Sequence, residues 1–464
     1  MRKGIINVMF ANLISLLIGL ITNFVLPKFL SVDAYSLVKT YALYITYAGF
    51  FSLGYNDGMY LKYGGKDINE INKIDLANNY INYILLILIM LFVVLVVGIF
   101  ISDMVAIAFA FGMLSYNILG YLKSLYQATG EFNAYSRALN LEKVAIFLIT
   151  MILIFVFHKE NAGYYIWTQV IIGILISILL TIKLDYKLHF FKKGKIALRE
   201  FKENISSGFI LMLGNFSSGI FTGLDRWFVK FLLTSTHFAL YSFAVSMENI
   251  INVFITPITV SLYNYFCKKP SFEEIKKIKN YVLIWGFIVI AAAFPAKFIL
   301  ETYLPKYIQA NSVIFLLFAA QLAYVVIKGI YVNIYKSEKK QNKYLIQMIL
   351  MILLGALLNA LFYCIFNDMI SIAAATLVTS LIWLLICEFE KGNKLKYTLN
   401  ELVAIGLILF VYLLTGYKCN AILGLFVYLV STILVVGIFM NKTMIDLLIT
   451  LKGMLRKYAY KKKR

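Results

Sequence analysis

The sequence predicts an all-α integral membrane protein of about fourteen transmembrane helices. They are expected as two six-helix lobes related by a pseudo-two-fold axis along the membrane normal, followed by two C-terminal helices. Three observations carry this reading. The 464 residues are 61% hydrophobic and 14% charged, with mean hydropathy +0.82, whereas a soluble chain confines its apolar residues to one face of each element. Apolar windows of about 20 residues, the helical length that crosses a bilayer core of about 30 Å, recur along the chain. The order of spans and basic loops also repeats in the second half.

Taken in order, the first seven windows are Ile5–Pro27, Leu37–Asn56, Tyr80–Ile101, Met104–Gln127, Leu139–His158, Ala162–Lys183 and Asn204–Leu224. The second seven are His237–Tyr263, Lys279–Leu300, Asn311–Val332, Tyr344–Phe366, Met369–Cys387, Leu399–Tyr417 and Ala421–Met440. Met1-Arg2-Lys3 followed by an apolar run has the charge pattern of a signal peptide, but the run is too long and lacks a small-residue cleavage site. The first helix is therefore expected to be retained.

Lys and Arg number 44 against 23 Asp and Glu, a net charge of +21. Such a balance suggests nucleic acid in other settings, but the placement here argues against it. With the N-terminus inside, thirty-four of these cations fall in cytoplasmic segments, Lys39, Lys143 and Lys328 fall within spans, and only Lys28, Lys159, Arg226, Lys230, Lys297, Lys306 and Lys418 fall outside. That bias orients both termini to the cytoplasm, and segments such as 183–202 and 452–464 face anionic headgroups. The membrane is thus the expected partner, and nucleic acid is not.

Several chemistries are excluded by what the chain lacks. Cys267, Cys364, Cys387 and Cys419 are scattered, and His158, His189 and His237 have no ligand spacing, so neither disulfides nor a metal or cofactor site is expected. There is no phosphate-binding glycine loop, HExxH or GxSxG. The longest outer stretches, Asp225–Thr236 and Lys297–Ala310, are short for a catalytic loop. No enzyme and no catalytic residue is expected.

An offset of 203 residues superposes the first two spans on the seventh and eighth without a gap, placing Asn12 on Asn215, Ser15 on Ser218, Leu30 on Leu233 and Tyr60 on Tyr263. Six spans per half is an even number, so both halves start on the same side, the pattern of a parallel repeat. The expected organisation is a lobe at 1–183, a basic cytoplasmic linker at 184–203, a second lobe at 204–387, two more spans at 388–440 and a basic tail at 441–464.

Polar stripes within spans mark a cavity or a packed interface, because lipid-facing positions do not tolerate them. The first span carries Asn12, Ser15, Gly19 and Asn23 on one face. The seventh carries Asn204, Gly208, Asn215, Ser218, Gly219, Thr222 and Arg226, and the eighth Tyr241, Glu248, Asn249, Asn252, Thr256, Thr259 and Tyr263. The Asn and Ser positions read either as interhelical hydrogen bonds or as substrate contacts. Glu248, near mid-membrane, reads either as a coupling-ion or sugar contact or as a structural group. Arg226, then Lys39 and Lys230, are the cations suited to an anionic substrate. Lys328 is expected to snorkel to the interface. Tyr41, Tyr44, Phe51 and Tyr55 form an aromatic face that suits either packing or sugar stacking.

The run from Asn12 through Pro27-Lys28-Phe29-Leu30 to Asp33-Ala34-Tyr35-Ser36-Leu37, with Gly54-Tyr55-Asn56-Asp57-Gly58, resembles the polysaccharide transporter branch of the multidrug/oligosaccharidyl-lipid/polysaccharide exporter superfamily. Leu224-Asp225-Arg226-Trp227 and His237-Phe238-Ala239-Leu240-Tyr241-Ser242 echo that pattern. Family members usually carry Gly near the Tyr35 and Tyr241 positions, where this chain has Ala34 and Ala239-Leu240. The resemblance implies two lobes around a hydrated cavity and alternating access. It also implies an undecaprenyl-pyrophosphate oligosaccharide as substrate, flipped in a bacterial inner membrane during O-antigen or capsule assembly, with a polymerase and a chain-length regulator as partners. On this reading Arg226, Lys39, Lys230, Asn12, Asn23, Asn215, Asn249 and Asn252 contact substrate and Glu248 holds a coupling ion. A drug exporter of the same superfamily, a glycan ligase or polymerase, and a peptidoglycan-precursor flippase are the alternatives.

Overall fold

The computed structural model describes residues 2–188, 195–390 and 395–462. Within them the chain is helical, and twelve helical stretches are long and apolar enough to cross a membrane. Two expected spans are absent from that set. The eighth is one helix of 32 residues carrying the polar stripe; the second is broken into pieces. Two compact units divide at Gly223 and Leu224, inside a single helix.

The first unit contains α1 (Arg2–Phe29), α2 (Val32–Ile45), α3 (Tyr55–Tyr63), α4 (Lys73–Ile101), α5 (Met104–Ala128), α6 (Phe132–Phe155), α7 (Ala162–Leu188) and the first part of α8 (Leu198–Leu232). Of the expected linker, 189–194 lies outside the described residues, His189 with it. Between α2 and α3 a 3-10 turn spans Ala48–Ser52, and Leu53 and Gly54 take φ of 49° and 82°. A break at membrane depth leaves backbone groups without helical partners, which hydrocarbon penalises unless protein supplies them. Buried Asn117 on α5 does so, donating to Ala48 O and Met113 O at 2.9 Å each. A tyrosine core surrounds it. Tyr83 stacks on Tyr121 with centroids 4.8 Å apart, Tyr121 donates to Asn79 Oδ1 at 2.8 Å, and Tyr55 donates to Asn79 O at 2.9 Å.

Glycines set the approach of α3 to α8. A Cβ on Gly58 would run into the Asn204 backbone, one on Gly208 into Gly54 and Gly58, and one on Gly54 into Gly208 and Phe209. The two helices therefore cross backbone to backbone, as small residues permit.

The second unit holds the rest of α8, then α9 (Ser235–Phe266), α10 (Phe272–Ile290), α11 (Ala293–Thr302), α12 (Asn311–Val326), α13 (Val332–Ser337), α14 (Gln341–Phe366), α15 (Met369–Phe389), α16 (Leu399–Lys418), α17 (Ala421–Phe439) and α18 (Asn441–Lys462). α12 is the buried axis and packs against α9, α10, α15 and α16. A π-helical turn at Ile327–Tyr331 joins α12 to α13. The expected outer stretch Asp225–Thr236 is mostly the end of α8, so the connection there is shorter than the sequence reading allows.

Two buried lysines fasten the hairpin α16–α17. Lys279 on α10 meets Glu388 at 2.6 Å, donates to Leu395 O at 2.5 Å and lies 3.4 Å from the Tyr397 ring centroid. Burial, then the Glu388 carboxylate, push the Tyr397 phenol well above its ordinary pKa, so a neutral ring faces the ammonium. At the other end Lys297 donates to Gly416 O at 2.8 Å and Cys419 O at 2.6 Å. The expected spans 13 and 14 are thus packed into the second unit. The basic tail is helical through Lys462 and is tied to α10 by Lys277–Asp446 at 3.2 Å; residues 463–464 lie outside the described residues.

Candidate functional site

Each unit contains a polar site built into apolar helices. In the first, a cavity of about 520 Å³ is bounded by the broken segment 46–57, by α5, by the start of α6 and by the middle of α8. The break creates it: a continuous helix would carry those side chains round at about 100° per residue, whereas the 3-10 turn and two left-handed residues turn Thr46, Tyr47, Phe50 and Asp57 to one space. Phe50 stacks on Phe216 with centroids 4.4 Å apart, and Tyr47 meets Phe216 edge-on at 6.1 Å. Asn215 donates to Asp57 Oδ1 at 3.3 Å, Asn56 to Ser124 Oγ at 3.2 Å, and Lys123 pairs with Glu142 at 3.6 Å. Beyond the glycine crossing lies a groove lined by Lys62, Arg199 and Lys202, in which Lys62 pairs with Glu200 at 3.0 Å and Arg199 with Glu203 at 2.9 Å.

In the second unit the site is a cluster of charges inside the spans. Asp225 is buried, accepts from the Tyr241 hydroxyl at 2.8 Å and from the backbone N–H of Arg226 at 2.7 Å. Arg226 is half-buried and its Nε has no hydrogen-bond partner. Glu248 accepts from Gln321 Nε2 at 2.5 Å, and its charged neighbours are Asp225, Lys328 and Arg226. Lys328, on the π-helical turn, lies 5.4 Å over the Tyr324 ring. It does not snorkel as expected, because the widened turn directs it to Tyr324 and into the field of Glu248.

The structure distributes the sequence candidates unequally. Arg226 and Glu248 fall in the cluster, and Asn215 lines the cavity. Lys39 and Asn23 are partners: Lys39 donates to Asn23 Oδ1 at 3.2 Å and lies 5.2 Å from the Tyr35 ring. Ser15 donates to Asn140 Oδ1 at 3.3 Å, so the first-span stripe divides between two helices, and Asn12 is exposed beside exposed Leu13 and Leu17. Asn252 donates to exposed Asn249 at 3.3 Å within their own helix, and Lys230 lies 5.1 Å from the Phe238 ring. The Thr256 side chain lies outside the described residues. The expected aromatic face is packing: Tyr41 is buried against Gly112, Tyr44 and Phe51 meet Phe109 at 5.9 and 5.8 Å, and Tyr55 belongs to the tyrosine core.

Sequence reasoning missed Phe50, Phe216, Tyr47, Lys123 and Gln321, and it quoted Asp57 without a role. The signal for Asp57 was legible: a carboxylate between Asn56 and Gly58 at the end of an apolar window. Among the described residues no group of three or more His, Cys, Asp or Glu is placed to hold a metal.

No curated protein matches the chain. The fold is similar to that of the lipid II flippase MurJ in an inward closed conformation, with 16% identity and a TM-score of 0.68 over 95% of this chain and 100% of that one. It is also similar to an inward-facing multidrug resistance MATE family transporter of the MOP superfamily, with 14% identity and a TM-score of 0.58 over 81% of this chain and 97% of that one. The family model for polysaccharide biosynthesis proteins matches residues 1–269, more than half of the sequence. With broken and continuous spans, two polar sites and this match together, the chain, a multi-pass membrane protein, belongs to the polysaccharide biosynthesis protein family.

Proposed function

We propose that the protein is a flippase moving an undecaprenyl-pyrophosphate-linked oligosaccharide from the cytoplasmic to the outer leaflet of a bacterial inner membrane, in O-antigen or capsule assembly. The observation that carries the reading is Arg226, a guanidinium inside a span whose Nε has no hydrogen-bond partner while the adjacent Asp225 carboxylate is engaged by Tyr241. Cations within membrane-spanning helices are rare and commonly mark substrate or ion pathways. The Nε–H that finds no acceptor in the protein suits an anionic ligand, and guanidinium matches phosphate oxygens in planar, two-point fashion. A polar glycan cannot cross hydrocarbon alone, whereas its lipid tail remains there while the head passes through protein.

On this reading the chain is a transporter rather than an enzyme, with both termini cytoplasmic and lobes that alternate in access. Glu248 is the coupling-ion group, and Lys39 and Lys230 are secondary cations on the path. A polymerase and a chain-length regulator are the partners that consume the flipped unit. The experiment is Arg226→Ala in the native cell. Surface polysaccharide disappears and lipid-linked units accumulate while the protein level is kept, with Arg226→Lys retaining part of the output. Wild-type output from Arg226→Ala refutes the assignment, and export of cationic drugs without any effect on polysaccharide supports the exporter reading instead.

A further inference from the structure

The first-unit cavity has walls suited to sugar and poorly suited to phosphate. Phe50 and Phe216 offer aromatic surface, with centroids 4.4 Å apart. Asn56, Asn215 and Asp57 supply hydrogen-bonding groups to the same space. Its cation, Lys123, is paired with Glu142 at 3.6 Å, so Asp57 is the charge in the wall without an ion-pair partner. A diphosphate needs cations or clustered N–H donors to replace its hydration, and a carboxylate repels it. A sugar ring presents a C–H face to aromatic planes and hydroxyls to amide and carboxylate oxygens. The volume of about 520 Å³ falls within the range of small-ligand cavities, about 300–1,000 Å³.

We propose that this cavity binds the uncharged sugar residues of the lipid-linked substrate and excludes its diphosphate. The assignment rests on the flippase reading and adds which part of the substrate the first unit takes. Asp57, held by Asn215, makes acidic sugars poor ligands by the same repulsion.

Gly120 and Gly219 line the cavity, and a Cβ at either meets nothing within 4 Å, so cysteine fits at both. Gly120→Cys and Gly219→Cys are made with Cys364, Cys387 and Cys419 replaced, keeping exposed Cys267 as an internal reference. Each is reconstituted in liposomes and its rate of alkylation measured. The probes are the lipid-linked saccharide pool extracted from cells lacking the protein, the glycan released from that pool, and undecaprenyl pyrophosphate. The first two slow alkylation of both cavity cysteines several-fold, undecaprenyl pyrophosphate does not, and Cys267 is unchanged. Equal protection by undecaprenyl pyrophosphate overturns the assignment. So does absence of protection in liposomes that flip the extracted lipid, a result that leaves the flippase reading standing. If cells lacking the protein accumulate no lipid-linked saccharide, the flippase reading falls first and this assignment with it.

Discussion

Replacing Lys279 by methionine removes an ammonium that is completely buried between Glu388 at 2.6 Å, Leu395 O at 2.5 Å and the Tyr397 ring. The carboxylate left behind keeps the Tyr331 hydroxyl at 2.6 Å and the Tyr397 N–H at 2.8 Å, neither of which carries charge. Taking one partner from a buried ion pair costs about 3–5 kcal/mol, because the remaining charge is uncompensated in a low-dielectric interior. At roughly 2–4 °C per kcal/mol for a unit of this size, the unfolding temperature falls by roughly 6–20 °C. Lys279→Met/Glu388→Gln removes both charges, its one amide oxygen accepting from the Tyr397 N–H and its amide N–H donating to the Tyr331 hydroxyl, so it unfolds at a higher temperature than Lys279→Met alone. The assay is thermal unfolding of the purified protein in detergent, followed by tryptophan fluorescence, with both single variants and the double variant as a cycle. An unchanged unfolding temperature for Lys279→Met refutes the reasoning, as does a double variant whose loss equals the sum of the singles.

Three further outcomes follow from the geometry. Gly58→Leu places a side chain where the Asn204 backbone stands, so α3 and α8 separate and surface polysaccharide drops sharply, whereas Gly406→Leu, at an exposed helical position where a Cβ meets nothing, leaves output near wild type; equal effects from the two would show that the crossing is not tight. Glu248→Gln keeps a partner for Gln321 but ends the charge interactions with Lys328 and Arg226, and pH or sodium dependence of flipping in liposomes is lost; retained dependence would make the carboxylate structural. Asn117→Leu removes the side-chain donor shared by Ala48 O and Met113 O, and loss of a hydrogen bond costs about 0.5–1.5 kcal/mol. The same thermal assay registers that loss, and an unshifted transition would mean the broken segment finds another donor.

Much of the fold was legible before any coordinates. Windows of apolar residues are long because hydrocarbon is thick, and nothing but a helix satisfies its own backbone across that distance. Arg226, Glu248 and Asn215 were legible for the same reason, since polar groups stand out against an apolar background and are costly enough to need a role. The first-span stripe was read correctly as polar, yet Asn12, Ser15 and Asn23 meet different surroundings. Helical phase alone does not say which neighbour covers which turn.

The amino-acid sequence by itself determined that the chain lives in a bilayer as many helices and that the second half echoes the first, because solvent transfer acts on each window independently of its neighbours. Only the tertiary structure decided that the second span breaks at Ala48–Gly54 and opens a cavity of about 520 Å³ there. At that break Asn117, sixty-nine residues from Ala48 in the chain, donates to the Ala48 carbonyl. A pattern read at constant angle per residue carries Tyr41 and Phe51 into the expected face and Phe50 out of it. Packing against α8, which brings Phe216 to Phe50, reverses the assignment.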